Sequence, residues 1–202
     1  MTILLKALKE ASEFYDWIGI NTNNLSVPNR EKDKTAMKIL QQSMDLGDAI
    51  LLLLNHNLPG PAFTIARPHF ETYVCGVWLF DIASPNEISA YLSGITPKID
   101  TLVKKISKIY PETHSWRKKN KELNLRSFHG LAHSGAEHVI RRASDDGGSI
   151  EPNYKEEEII QLIKHCTTVQ IGIAVYTLLI ADKPERMQNL DERISKLGLT
   201  FP

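Results

Sequence analysis

Apolar residues recur at three- and four-residue spacing along most of the chain, and no segment alternates apolar and polar positions between hairpin turns. That pattern predicts an all-α fold. A first helix runs from about Thr2 to Ile18 and stops in the segment 19–29, where an asparagine run, Ser26 and Pro28 end the periodicity. A second covers about Arg30 to Asn57, with Ile39, Leu40, Met44, Ile50, Leu51 and Leu54 as its buried stripe. Pro59 and Pro61 close it and open a third, because proline suits a first turn and not a helix interior. The third helix continues to about Ala83 with Pro68 inside it, which predicts a kink near Thr64. Two shorter helices are expected at about Asn86 to Ser93 and Pro97 to Tyr110. Beyond a polar stretch at 113–122, a histidine-rich segment at 125–142 and a loop at 145–153, a long helix runs from about Tyr154 to Asp182. Pro184 then starts a terminal helix ending near Leu197. Short connections and the lack of an internal repeat predict an antiparallel helical bundle with long core helices, one domain over residues 1–202.

Composition adds limits rather than a function. At 202 residues, about 70% of the unfolded surface can be buried. The 42% apolar and 24% charged content are those of an ordinary globular chain. Lys plus Arg equal Asp plus Glu at 24 each, so no net field draws in nucleic acid or an anionic surface, and any such binding needs a local patch. Cys75 and Cys166 each lie inside an apolar helical pattern and read as reduced core thiols. Lys6, Lys9 and Glu10 interrupt the N-terminal segment where an export signal needs an apolar run. The apolar stretch Ile171 to Ala181 is shorter than the roughly 20 residues a membrane span requires. The expectation is a cytoplasmic protein that does not enter a membrane.

Chemistry concentrates in few places. His129, His133 and Glu137 stand at successive four-residue steps, so on a continuous helix they share one face among Phe128, Leu131, Ala132 and Val139. Arg67 and Glu71 are also four apart, among Phe63, Phe70, Val74 and Trp78, and can form an intrahelical ion pair. Such a polar stripe serves either as a structural network that fixes packing or as a site. Two imidazoles with Glu71 or Glu137 could hold a divalent ion, but the His-x-x-x-His spacing lacks the glutamate that follows the first histidine in zinc peptidases, so no metal or other cofactor is expected. His133 is better placed as an acid or base near neutral pH.

From Lys104 to Arg126 eight basic residues face two acids, a local net charge of +6. Lys118, Lys119 and Lys121 form its centre, Arg141 and Arg142 extend it, and Tyr110, His114 and Trp116 lie within it as stacking surfaces. A phosphate backbone could bind there, or the charges could simply form a solvated helix face. His56, His69 and His165 stand alone and read as surface or satisfied core residues. There is no phosphate-cradling glycine loop and no nucleophile elbow, which excludes the common nucleotide and α/β-hydrolase architectures.

Three stretches, Arg67 to Leu79, Phe128 to Glu137 and Ile150 to Glu158, together resemble an uncharacterised bacterial family of all-helical domains of unknown function. In that family an Arg and a Glu on one helix accompany a His-Ser/Thr/Gly-Gly turn on a later one. The resemblance spans about residues 35 to 182. More distantly, Arg126 followed by six residues and His133 is similar to the Arg-x(4 to 6)-His motif of HEPN domains, helical bundles of toxins and phage-defence ribonucleases. That resemblance implies metal-independent RNA cleavage by a homodimer, with His133 moving the proton of a 2′-hydroxyl and Arg126 steadying the phosphate. Gly130 and the residue after the Arg-containing turn depart from the motif. The alternative expectation is a non-catalytic helical module whose Arg67, Glu71 and His133 network is structural or binds a protein partner or small ligand.

Overall fold

A computed structural model describes residues 2–113, 130–132, 135–144 and 148–197, and among these the fold is all-α with no strand. Helix α1 spans Ile3–Thr22, α2 Glu31–Asn55, α3 Pro59–Asp81, α4 Pro85–Leu92 and α5 Ile99–Ile109, followed by a 3₁₀ turn at Pro111–Thr113. A short α6, Glu137–Ile140, precedes α7, Glu156–Ile180, and α8, Pro184–Lys196. Sequence features account for the helix ends. The Thr2 hydroxyl caps α1 by accepting from Leu5 N–H, Ser84 and Glu87 close a capping box on α4, and Pro59 occupies the first turn of α3. Helix α3 continues unbroken through Pro68; Thr64 uses its hydroxyl to bond the Gly60 carbonyl.

Helices α1, α2, α3 and α7 form the bundle, α5 covers the far side of α3, and α8 lies along α7. The first three alternate in direction, as their short connections require. Thr22 and Met44 meet at one end of α1–α2, and Asn55 and Ser12 at the other. Helix α7 instead runs parallel to α1 and α3. The Leu4 N–H donates to Glu156 at the start of both helices, and Arg186, just beyond α7, donates to the Asn21 carbonyl near the end of α1. Along α3, Phe63, Phe70 and Phe80 meet Tyr154, His165 and Tyr176 in the same order. The long segment 82–155 provides the return that makes this direction available.

The core divides into two apolar clusters. One joins α1, the C-terminal half of α2, the N-terminal half of α3 and α8 to α7, around Phe14, Ile18, Ile50, Phe63, Leu162 and Leu190. The other joins the remaining halves of α2 and α3 to α5 and α7, around Leu40, Val74, Trp78, Leu102 and Ile173. Cys75 and Cys166 are free and buried, and burial pushes the Cys75 thiol up to about 11, so both are packing groups and not nucleophiles. Counted over its whole length, α7 is long and apolar enough to cross a membrane, which the shorter uninterrupted run at Ile171 did not reveal. Here 56% of its most apolar stretch is buried inside the bundle, where it serves as the central core helix.

Candidate functional site

The first turns of α3, all of α6 and the start of α7 come together around an aromatic stack. Gly60, Phe63, Arg67 and Glu71 follow one another at helical spacing along α3. Arg67 Nε donates to Glu71 Oε1 at 2.6 Å, with the two side chains 24% and 35% exposed, so the expected intrahelical pair forms in a half-buried setting. The Phe63 ring stacks on Tyr154 with centroids 5.1 Å apart, and the Arg141 guanidinium lies over both rings, 5.7 Å and 5.0 Å from their centroids.

Arg141 is also held from α7. Its two terminal nitrogens donate to the two carboxylate oxygens of Glu158, both at 2.8 Å. One of those oxygens accepts in addition from the Lys155 N–H at 3.1 Å, which closes the N-terminus of α7. Hydrogen bonding within this pair pulls the Glu158 carboxyl below its usual range and raises the Arg141 guanidinium further, so both stay charged.

Gly130 and Gly135 approach one another just before α6. Leu131 is buried in the cluster that contains Phe63 and Leu162, and its carbonyl is hydrogen bonded to the His138 ring. The Gly135 N–H donates to the Gly130 carbonyl at 2.6 Å. The Glu137 carboxylate folds over both glycines: a Cβ on Gly130 would stand 2.0 Å from Glu137 Oε2, and one on Gly135 2.4 Å from it. A side chain at Gly130 would displace the Glu137 carboxylate, whereas one at Gly135 would also stand 2.8 Å from the Gly130 Cα, so the backbone itself requires glycine at 135. Residues 130–132 are helical, Gly135 is not, and α6 is a separate helix; of the expected shared face only Glu137 is among the described residues.

Of the residues nominated from sequence, Arg67 and Glu71 are paired on α3, Glu137 packs on the two glycines, and Arg141 is neutralised by Glu158 instead of adding to a basic patch. Arg142 is exposed; its Nη2 and the Tyr154 hydroxyl approach Gly60, each 3.4 Å from where a Cβ would stand. Arg126, His129, His133, Lys118, Lys119 and Lys121 lie outside the described residues. Among the described residues no group of three or more His, Cys, Asp or Glu side chains is placed to hold a metal ion. Sequence reasoning named Phe63 only as an apolar neighbour of Arg67 and Glu71, and Tyr154 and Glu158 only within the Ile150 to Glu158 stretch and the long helix, without assigning any of them to one cluster. The available signal was the position of Glu158, in the first turn of a helix where a carboxylate can cap.

Fold and cluster together define an all-helical protein built around one long central helix, with an ion-paired aromatic cluster at the end where α3 and α7 begin. The chain belongs to the family of unknown function DUF6988, whose model matches residues 40–199. No curated protein and no solved structure shows significant similarity to it.

Proposed function

We propose that this protein is a non-catalytic helical binding module in which the charges of α3, α6 and α7 are a scaffold and not a reaction centre. One observation carries the reading: Arg67 and Arg141, the two cluster arginines best enclosed by apolar neighbours, are each committed to a carboxylate, Glu71 at 2.6 Å and Glu158 at 2.8 Å through both nitrogens. A guanidinium bound bidentately and stacked on two rings would have to give up those contacts to hold a phosphate in a transition state. Among the described residues of the cluster, the exposed Arg142 beside Tyr154 is available to meet a partner.

The second reading is a HEPN-like ribonuclease using Arg126 and His133. It rests on the Arg-x(6)-His spacing of the sequence, and both of its ends lie outside the described residues. Purified protein incubated with single-stranded RNA in EDTA, beside His133→Ala and Arg126→Ala variants, separates the two. The scaffold reading expects no cleavage by any of the three proteins. Cleavage by the parent chain that is lost in both variants would overturn it.

A further inference from the structure

Between the two apolar clusters lies a polar layer to which each of α2, α3 and α7 contributes. On α2, Ser43 and Gly47 fall between Leu40 of one cluster and Ile50 of the other. On α3, His69 separates Ala66 from Phe70, and on α7 Gln170 lies between Cys166 and Ile173. His69, read from the sequence as a surface or satisfied core residue, lies in the core without being satisfied. It is 0% exposed, and neither ring nitrogen has a hydrogen-bond partner.

Gln170 is 1% exposed. Its amide nitrogen donates to the Met44 carbonyl at 3.3 Å, while Oε1 has no partner. Gly47 makes this reach feasible, because a Cβ there would stand 2.8 Å from the Gln170 amide carbon. Ser43 bonds the His69 carbonyl at 2.8 Å and so is not aimed at the ring.

A neutral imidazole can present one N–H to the Gln170 oxygen and keep its other nitrogen as an acceptor. A protonated one has two N–H groups and a charge; the Gln170 side chain offsets part of that by accepting from one N–H, and the second N–H and the charge stay in an apolar surround. From α7 the groups acting on it are Gln170 and the His165 imidazole, which disfavours a second positive charge; from α2 they are Ser43 and Gly47, neither titratable.

We propose that this layer is an acid-triggered latch: a proton on His69 is accommodated only when α7 lifts from the α2–α3 hairpin, so acid opens the bundle along that seam. Burial, with His165 adding to it, holds the imidazole down at about 3 in the closed protein against 6.5 when free. The open form therefore binds the extra proton. The contribution of the layer is complete above pH 6.5 and falls as pH drops toward 3, and the opening constant rises about tenfold for each pH unit in between.

The test is amide hydrogen exchange of α7, corrected for intrinsic rates, between pH 7 and pH 4.5 in the parent chain and in His69→Gln. The latch predicts that amides around Val169 to Ala174 lose about a hundredfold of protection in the parent, following the tenfold step per pH unit, and little in the variant. Equal losses in both would overturn it. If His69→Gln does not fold, NMR titration of the His69 ring in the parent decides. A ring that stays neutral until α7 amides open supports the latch, and one that titrates near 6.5 in a protein whose α7 remains protected overturns it.

Discussion

Asn24, Asn57 and Asp182 have φ of 55°, 56° and 53°, and each lies two residues beyond the end of a long helix, α1, α2 and α7. Asn and Asp tolerate this left-handed region because their short polar side chains bond locally, so their places in the sequence mark where these helices stop. Charge at single residues is less visible. Asp48 on α2 has its carboxyl pushed up to about 6 by partial burial, then by Asp45 and Asp16 nearby. An acid whose folded pKa is raised destabilises the fold where it must ionise. Asp48→Asn should therefore raise the melting temperature at pH 7, and the gain should close as pH falls from 6 to below 4. Thermal melts across that range check it, and a gain that is the same at pH 3.5 as at pH 7 would refute the cause.

Between elements, the end of α3 is tied by one carboxylate. Asp81 Oδ2 accepts from Tyr110 at the end of α5, at 3.0 Å, and from Tyr176 on α7, at 2.8 Å. Burial, reinforced by Asp81, keeps the Tyr176 phenol protonated well past its ordinary range, so it remains a donor. Asp81→Ala should cost about 2 kcal/mol in urea unfolding and Tyr176→Phe about 1 kcal/mol, with Tyr110→Phe adding little to Asp81→Ala. Additive losses from Asp81→Ala and Tyr110→Phe would show that the two residues do not share a bond.

The helices themselves were legible because three- and four-residue periodicity and the prolines at 59 and 61 act locally. The Arg67–Glu71 pair was legible for the same reason. What joins elements was not. Periodicity marks His69 and Gln170 as helix residues but does not say that they stand at the same level of the bundle. The Arg141–Glu158 pair crosses a loop of unpatterned sequence, and the glycines at 130 and 135 signal a break without showing that a carboxylate fills it.

At the scale of the whole molecule, α7 is the axis on which the rest is assembled. Chain direction across the segment 82–155 cannot be read from hydrophobic spacing, which is the same whichever way a helix points, so the parallel seating of α7 against α1 and α3 came only from the structure. The family match begins within α2, yet α1 supplies Phe14 and Ile18, which are 0% and 1% exposed, to the core around α7. The matched region and the packed unit are therefore not the same. Both the latch and the ion-paired cluster act on α7, one at its middle and one at its start.

The most direct measurement is a double-mutant cycle on Arg141→Gln and Glu158→Gln, read by urea unfolding and by RNA retention at low and high salt. A scaffold role predicts that each single variant loses about 1 kcal/mol or more, that the pair couples by about 1 kcal/mol, and that RNA retention does not change. Stability unaltered in Arg141→Gln, with salt-sensitive RNA retention lost, would contradict it.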